Sequence, residues 1–550
     1  MFQPASFARP RTAASVAALS AVLSAAMLLP GCSSMAPQYA RPPLPVADRY
    51  DAPAAPGANA NAALPEWRGY FASPALQAMI VEALAQNRDL RIAALRVEQA
   101  RAAYGIERAN RLPVLAAQAS GQRQQVPADL SLTRHEMITS QYQAELGVSA
   151  WEIDLWGRLA SLRDAALQDY LASDAARRAI TMSLITHVAE GYFDVREIDQ
   201  RIALARRTLA TRQESYRIFS RRVAVGATSR LNLTQVETLL LQAQALTSQL
   251  EQERDRKRHA LQLLIGSPDA LAPLDAEAAN AAGDAAVALR DASAGKSASA
   301  TGNPGAASRG GADEKLATNA AGDLRGNVGG DLAANLADAL PTFAPGLPSA
   351  LLERRADIVA AEHQLRAANA NIGAARATFF PQVSLTAALG TASAELDGLF
   401  AGGSRSWTFA PSITLPLFDG DRRRQNLTLI EARRDSAIAN YEKTIQGAFR
   451  DVADALSAQS WLTAQVSIAE RALQVQRERA RLSQLRYDSG AAPFLDVLDA
   501  QRDLLSAEQQ LIQLRRGLLG AGIALYSALG GDPVLAAPPL ASIDLPSTRI

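Results

Sequence analysis

Two periodicities alternate along this chain. From residue 184 onward, apolar side chains recur every seventh position: Val188, Val195, Ile202, Leu209, Tyr216 and Val223. A second row, Leu184, Gly191, Ile198, Ala205 and Phe219, is interrupted only by Arg212. Further on, Val452, Val466, Leu473, Ala480 and Tyr487 follow the same spacing, with Gln459 as the exception. Sustained heptads predict long helices packed as coiled coils. If the stretch from Arg158 to Gly226 is one helix, it runs for about 100 Å at 1.5 Å per residue. Gly226 and Gly490 are placed to end such helices in left-handed turns, after which the chain returns antiparallel.

Elsewhere the period is nearer two. Gln141, Gln143 and Glu145 alternate with less polar neighbours, and the alternation slips by one at Gly147 before Val148 and Ala150. Val383-Ser384-Leu385-Thr386 and Trp407-Thr408-Phe409-Ala410 begin further strands. These segments predict two hairpins, about 114–153 and 382–418, with strands of roughly ten residues, a polar loop over 122–138 and a glycine-containing loop over 393–405. Such strands suit a tilted crossing of a bilayer and equally a soluble sheet. Pro113 and Pro381 are expected to stop the helix before each hairpin.

The chain repeats itself at a period of about 264–268 residues. Asp89, Ala100, Ala102, Gly105, Arg108, Ala109 and Pro113 align with Asp357, Ala368, Ala370, Gly373, Arg376, Ala377 and Pro381. Leu264-Ile265-Gly266 and Ala528-Leu529-Gly530 close the two copies. Each copy reads helix, hairpin, very long helix, turn, long helix: 64–270 with its helical hairpin about 157–266, and 341–535 with its helical hairpin about 421–530. Between them, 271–340 is low-complexity Ala/Gly/Ser/Asp, expected to lack the apolar surface needed to order itself. A tail, 536–550, follows the second copy.

Composition narrows the function classes. Of 550 residues, 48% are hydrophobic but only 5% aromatic, which favours helices packed through small side chains over several large-residue cores. With 56 basic against 55 acidic residues there is no surplus of positive charge to neutralise phosphates, so no nucleic-acid partner is expected. One cysteine and four scattered histidines supply no disulfide and no metal-ligand spacing. Ala294-Gly295-Lys296-Ser297 lacks the upstream glycine of a phosphate loop. No nucleophile–base set or paired-acid cleft is visible, so neither an enzyme nor a cofactor is expected.

At the start, Arg9 and Arg11 precede an apolar run from Ala13 to Leu29 that ends in Leu28-Leu29-Pro30-Gly31-Cys32. Its length and flanks predict a signal peptide over 1–31 rather than a membrane span. Cys32 resembles the acylated residue of a bacterial lipobox, heading a lipidated extension over 32–63. By resemblance to Gram-negative lipoproteins, Ser33 implies release to the outer membrane.

Together with the duplication and the heptads, several motifs carry a wider resemblance. These are Tyr39-Ala40-Arg41-Pro42, Asn87-Arg88-Asp89-Leu90, Trp151-Glu152-Ile153-Asp154-Leu155-Trp156-Gly157-Arg158, Phe379-Phe380-Pro381 and Leu498-Asp499-Ala500-Gln501-Arg502. In this order and spacing the chain resembles the outer-membrane factor (TolC/OprM-like) family, in the lipoprotein branch of RND-type multidrug efflux. The resemblance implies a mixed α/β membrane protein: a homotrimer in which four strands per chain close a 12-stranded β-barrel, continuous with a periplasmic α-helical coiled-coil barrel. It further implies a passive exit duct working with a periplasmic adaptor and an inner-membrane pump, and held to outer-membrane lipid through acylated Cys32. Closure by other chains agrees with physics, since open sheet edges are not tolerated in lipid. A duct for one-step protein secretion and a periplasmic coiled-coil adaptor or structural lipoprotein are the alternatives.

The helix–helix turns, Val223–Leu233 and Tyr487–Asp499, are expected at the periplasmic tip. Around a threefold axis any inward carboxylate becomes a ring, which selects cations and binds divalent ions. Asp496 and Asp499 share a helical face at i and i+3. The resemblance implies that they form the closed constriction, with Leu495 as an apolar plug; for Asp496 the alternative is electrostatic support of the helix start. Arg486 and Tyr487 are candidates for holding the closed state, although Tyr487 also lies on the heptad seam. Trp151, Trp156, Trp407 and Phe418 flank the strands, either as interfacial aromatics or as packing where barrel becomes helix. Pro113, Gly157, Pro381, Pro416 and Gly420 mark those barrel–helix junctions.

Overall fold

A computed structural model describes residues 35–47, 65–131, 134–277 and 354–531. The expected signal segment 1–31, Cys32, residues 278–340 of the insertion and the tail 536–550 lie outside the described residues. The described residues divide into two compact units, one holding 35–43, 96–131, 134–173 and 360–441, the other 44–47, 65–95, 174–277, 354–359 and 442–531.

In the first unit, four strands form one antiparallel sheet: β1 (Leu115–Val126), β2 (Met137–Ile153), β3 (Gln382–Ser393) and β4 (Arg405–Thr414), hydrogen-bonded in that order. The two hairpins are joined through β2 and β3, leaving β1 and β4 as edges. Opposed residues of an antiparallel pair share a face. One face therefore carries the row Ala117, Leu146, Leu389, Trp407 and the row Leu115, Val148, Ala387, Phe409. The other carries Gln118, Glu145, Gly390 and Ser406, with Gln122 and Gln141 further along. β1 runs on through Gln122–Val126, where the sequence alone suggests a loop, because Gln122 and Gln124 continue its polar face and every residue to Val126 pairs with β2.

The slip in alternation lies slightly later than Gly147. Regular pairing persists through Val148 and resumes at Trp151↔Leu385, so one extra residue is inserted between them. Ala150 takes it up with φ 50, and its amide donates to Thr386 Oγ1 at 3.1 Å. The bulge lets β2 reach 17 residues, well beyond the expected ten. It also shifts parity, so that Trp151 and Ile153 stay on the apolar face and Glu152 stays on the polar one.

Each strand pair is preceded by a helix, α3 (Arg88–Ala109) or α6 (Ala356–Ala377), and both helices end four residues before their proline. The prolines do not themselves terminate the helices. Tight turns such as Leu112 N–H to Ala109 O (2.8 Å) and Phe380 N–H to Ala377 O (3.1 Å) intervene, and Pro113 and Pro381 then enter the extended segments. Residues 36–41 run along α6 as a strap: Asn369 Nδ2 donates to Pro37 O at 2.8 Å, Tyr39 to Glu362 Oε1 at 3.2 Å, and Arg41 to Glu362. A side chain at Gly373 would meet the Ala36 amide nitrogen at 2.6 Å, so only glycine admits the strap there.

The long helices α4 (Arg158–Ala224) and α7 (Arg422–Asp488) are both 67 residues, and their partners are α5 (Arg230–Ile265) and α8 (Phe494–Ala528). No described helix is long and apolar enough to cross a membrane. In the second unit, Leu184, Val188, Val195, Ile198, Ile202, Ala205 and Phe219 are buried as the heptads require. A larger core gathers around short helices that heptad reasoning did not single out, α1 (Trp67–Tyr70) and α2 (Pro74–Gln86). Tyr70 stacks on Tyr526 at 4.1 Å and donates to Gly522 O at 2.8 Å, while Tyr526 donates to Pro65 O at 2.9 Å.

The first residues of the insertion are ordered, contrary to expectation. Residues 272–277 are helical and Leu274 is buried in that same core. Two carboxylates fasten them: Asp275 accepts from both terminal nitrogens of Arg258, and Glu277 accepts from Tyr192 at 2.8 Å with Arg196 at 3.4 Å. Low complexity of the whole segment hid this, since a few anchors at its border suffice to dock it.

Candidate functional site: the paired helix turns

The two turns are built alike. Gly226 has φ 72 and Gly490 φ 71. Ala227 N–H bonds to Arg222 O at 2.8 Å and Ala491 N–H to Arg486 O at 2.8 Å, while Gly226 and Gly490 bond to Val223 O and Tyr487 O. These paired bonds satisfy the last helical carbonyls and need φ > 0 at the glycine. Ser229 then caps α5 through its side chain, accepting from the Asn232 amide, and Pro493 opens α8.

Between the turns lies a small aromatic cluster. Phe494, at the start of α8, sits 4.5 Å from the Phe219 ring and 4.9 Å from Tyr487, centroid to centroid. Val236 and Leu498 are buried with Phe219. The Arg222 guanidinium lies over the Phe219 ring and donates to the Tyr487 hydroxyl at 2.5 Å. Higher along the same helices, Arg212 donates to Gln501 Oε1 at 2.7 Å, and Asp194 pairs with Arg516 at 2.7 Å and with Lys257 at 2.8 Å. Arg222, Phe219, Phe494 and Arg212 therefore hold the two helical hairpins together at this end. Sequence reasoning named Phe219 only as core and Arg212 only as an exception; the signal was present, since an arginine on a buried row demands a partner.

The expected tip residues fall within this region, in different environments. Leu495 is exposed, Asp496 half-buried in the first turn of α8, and Asp499 half-buried with Arg502 at 3.4 Å. Val497, Leu498 and Ala500 face inward instead. Tyr487 is engaged by Arg222, whereas Arg486 is exposed and serves the turn through its carbonyl. Among the described residues no cluster of three or more histidine, cysteine or acidic side chains is arranged to hold a metal ion.

At the strand–helix junctions in the first unit, Gly157 and Gly420 have φ 69 and 62. Asp154 accepts from the Ala160 amide at 2.8 Å and Asp419 from that of Arg423 at 3.2 Å, so each carboxylate covers the start of a long helix. Arg158 grips Glu152 with two hydrogen bonds, and Arg423 spans Asp419 and Pro416 O. The four aromatics divide. Trp156 donates to Pro381 O at 2.8 Å and stacks on Phe380, which makes it junction packing, and Trp151 bonds to Arg111 O at 3.2 Å. Trp407 and Phe418 stand out from the chain, Phe418 with 91% of its surface free.

Comparison with known proteins adds an independent line. The sequence profile of the family described as "Outer membrane efflux protein" matches residues 79–267 and 347–531. Over 513 residues the chain is 40% identical to Outer membrane protein OprJ of Pseudomonas aeruginosa, covering 93% of this chain and 95% of that one. It is 39% identical over 512 residues to Solvent efflux pump outer membrane protein SrpC of Pseudomonas putida, covering 92% and 97%. A crystal structure of a membrane protein from Pseudomonas aeruginosa superposes with a TM-score of 0.75 at 39% identity, covering 90% of this chain and all of that one.

Proposed function

The chain belongs to the outer membrane efflux protein family, and from that premise we propose that three copies close a barrel through which small molecules leave the cell. It is an outer-membrane component of an efflux pump and a conduit, not an enzyme. The observation that carries the trimer is the sheet: β1 and β4 have strand partners on one side only. In lipid every backbone donor and acceptor has to be satisfied, so β4 pairs with β1 of the next copy. With an even number of strands per chain that contact is antiparallel like the others. The face bearing Leu146, Leu389, Trp407 and Phe409 meets lipid, and the glutamine-rich face lines the pore.

A second feature supports the same assembly. On α7, Trp461, Ile468, Val475 and Leu482 lie at strict seven-residue spacing and are 67, 56, 66 and 46% exposed. Large apolar side chains at heptad spacing call for a facing helix, and a neighbouring copy supplies one.

Acylation of Cys32 anchors each copy to the outer membrane, and the strap over residues 36–41 lies four residues beyond it. A periplasmic adaptor and an inner-membrane pump provide cargo and energy. SrpC is named for solvent efflux; apolar organic molecules are accordingly the proposed cargo class here. The turns at Gly226 and Gly490 form the periplasmic gate, with Asp496 and Asp499 as carboxylate rings, Leu495 as plug, and Arg222–Tyr487 holding the closed state. Planar-bilayer recording tests this: small, infrequent steps are expected, and Asp496→Ala with Asp499→Ala should enlarge them and weaken block by divalent cations. An unchanged double variant would remove the gate assignment.

A further inference from the structure

Arg212 is the one charged residue on the buried row that runs from Leu184 to Phe219, and only 4% of it is exposed. Its single described partner is the neutral amide of Gln501 on α8, accepting at 2.7 Å. Burial holds the guanidinium below its ordinary basicity, with no neighbouring carboxylate acting against that shift. Removing such an ion from water costs several kcal/mol even after relaxation. A hydrogen bond involving one charged group returns about 1.5–3 kcal/mol. The packed seam is therefore weaker at this layer than an apolar residue would make it.

Its position gives that weakness a use. Toward one side on α4, 212 − 194 = 18 residues away, Asp194 meets Arg516 of α8 as an ion pair. Toward the turns, 222 − 212 = 10 residues away, Arg222 meets Tyr487 with one exposed hydrogen bond. The α4–α8 seam thus has a charge-paired layer, then an unbalanced buried cation, then an aromatic cluster at the tip. If the last turns part, water reaches the guanidinium and restores the solvation that packing withholds.

We propose that Arg212 is a positioning residue for opening: it is a weak layer in the α4–α8 seam that lets the terminal turns of the two helical hairpins separate. The inference rests on the gate reading above but is tested separately from it. Hydrogen exchange is measured on the turn segments Val223–Leu233 and Tyr487–Asp499 of the full-length protein in detergent. Arg212→Leu, which completes the apolar row, should slow exchange of both segments by about tenfold, the lower range of what replacing a buried charge by an apolar residue brings. Arg212→Lys, which keeps a cationic group in the buried row, should not slow exchange. Arg212→Met serves if the branched leucine disturbs packing. Exchange in Leu and Met variants that is unchanged or faster, or a Lys variant that slows as much as Leu, overturns the proposal.

In a second arm, Arg212→Leu is added to the Asp496→Ala, Asp499→Ala protein in bilayers. Fewer openings than in that parent support the weak layer, and equal openings count against it. Should the aspartate variant itself conduct no more than the wild type, the gate reading fails, and the exchange measurement still decides the role of Arg212.

Discussion

The Arg222 guanidinium and the Tyr487 hydroxyl, 265 residues apart in sequence, meet at 2.5 Å and tie the last turn of α4 to the last turn of α7. Each belongs to a different helical hairpin, so the contact spans the two. Tyr487→Phe keeps the ring against Phe494 and removes only the acceptor. A hydrogen bond of this kind contributes on the order of 1 kcal/mol net, about fivefold in an equilibrium. Open-channel events should rise by about that factor in bilayer recordings, with thermal stability little changed. A variant that conducts like wild type would show that this bond does not hold the closed state.

Gly390 faces Glu145 across the β2–β3 pair, and a Cβ there would meet Ala144 O at 2.1 Å. No rotamer relieves a clash between backbone and Cβ. Gly390→Ala should therefore force the strands apart and cost at least the 1–3 kcal/mol typical of overpacking, roughly. Since β2–β3 joins the two hairpins, heat-modifiable oligomers on SDS gels should be reduced or lost. Gly402→Ala, in the loop with open space around it, is the matched control.

The bulge at Ala150 can be tested by removing it. Deleting Ala150 leaves Val148 and Trp151 two positions apart, the spacing of regular pairing, so Trp151 and Ile153 keep the apolar face and Glu152 the polar one. The deletion should therefore still assemble into the membrane fraction, without the amide bond to Thr386, and Ala150→Gly, which eases the positive φ, should assemble as the wild type does; failure of the deletion would show that the bulge does more than preserve the faces.

Charge placed on the exposed heptad row should block assembly without unfolding the protomer. Trp461→Glu leaves the core around Tyr70 and Tyr526 untouched. Analytical ultracentrifugation in detergent should report a smaller species with unchanged helical circular dichroism. A trimer of wild-type stability would mean that the row is not an intersubunit seam.

The strap should respond to acid. Burial alone would raise the Glu362 carboxyl, but hydrogen bonds from Arg41 and Arg366, with their charges, outweigh it and hold it below the usual carboxylate range. A depressed folded value means that the contribution is complete above the unfolded value, about 4.3, and is lost as pH falls through the folded one. Comparing thermal unfolding of wild type with Glu362→Gln between pH 7 and 3 should show a gap that closes below about pH 4. A gap independent of pH would exclude this carboxylate as its source.

Much of the architecture was legible because it is periodic. Heptads at Val188 to Val223 announce a buried seam wherever their partner comes from, and a glycine after a long helix announces a left-handed turn whatever lies beside it. The residues that ended up mattering at the tip were harder to see. Arg212 read as an interruption because its partner, Gln501, lies 289 residues away, and nothing local marked Phe494 as the ring that Phe219 and Tyr487 close around. Trp156 stayed open between an interfacial ring and junction packing because nothing local reveals its bond to the Pro381 carbonyl.

By itself the sequence determined the long helices, their closing glycine turns and the two hairpins, since these follow from spacing along one chain and from steric rules at single residues. Only the tertiary structure decided that the hairpins join through β2 and β3, that the β2 bulge keeps Trp151 and Ile153 on the apolar face, that residues 36–41 dock on Glu362, and that 272–277 are ordered. Each of these depends on groups far apart in sequence meeting within hydrogen-bonding or packing distance, and the choice among possible partners is made by the fit of the whole fold rather than by any local pattern.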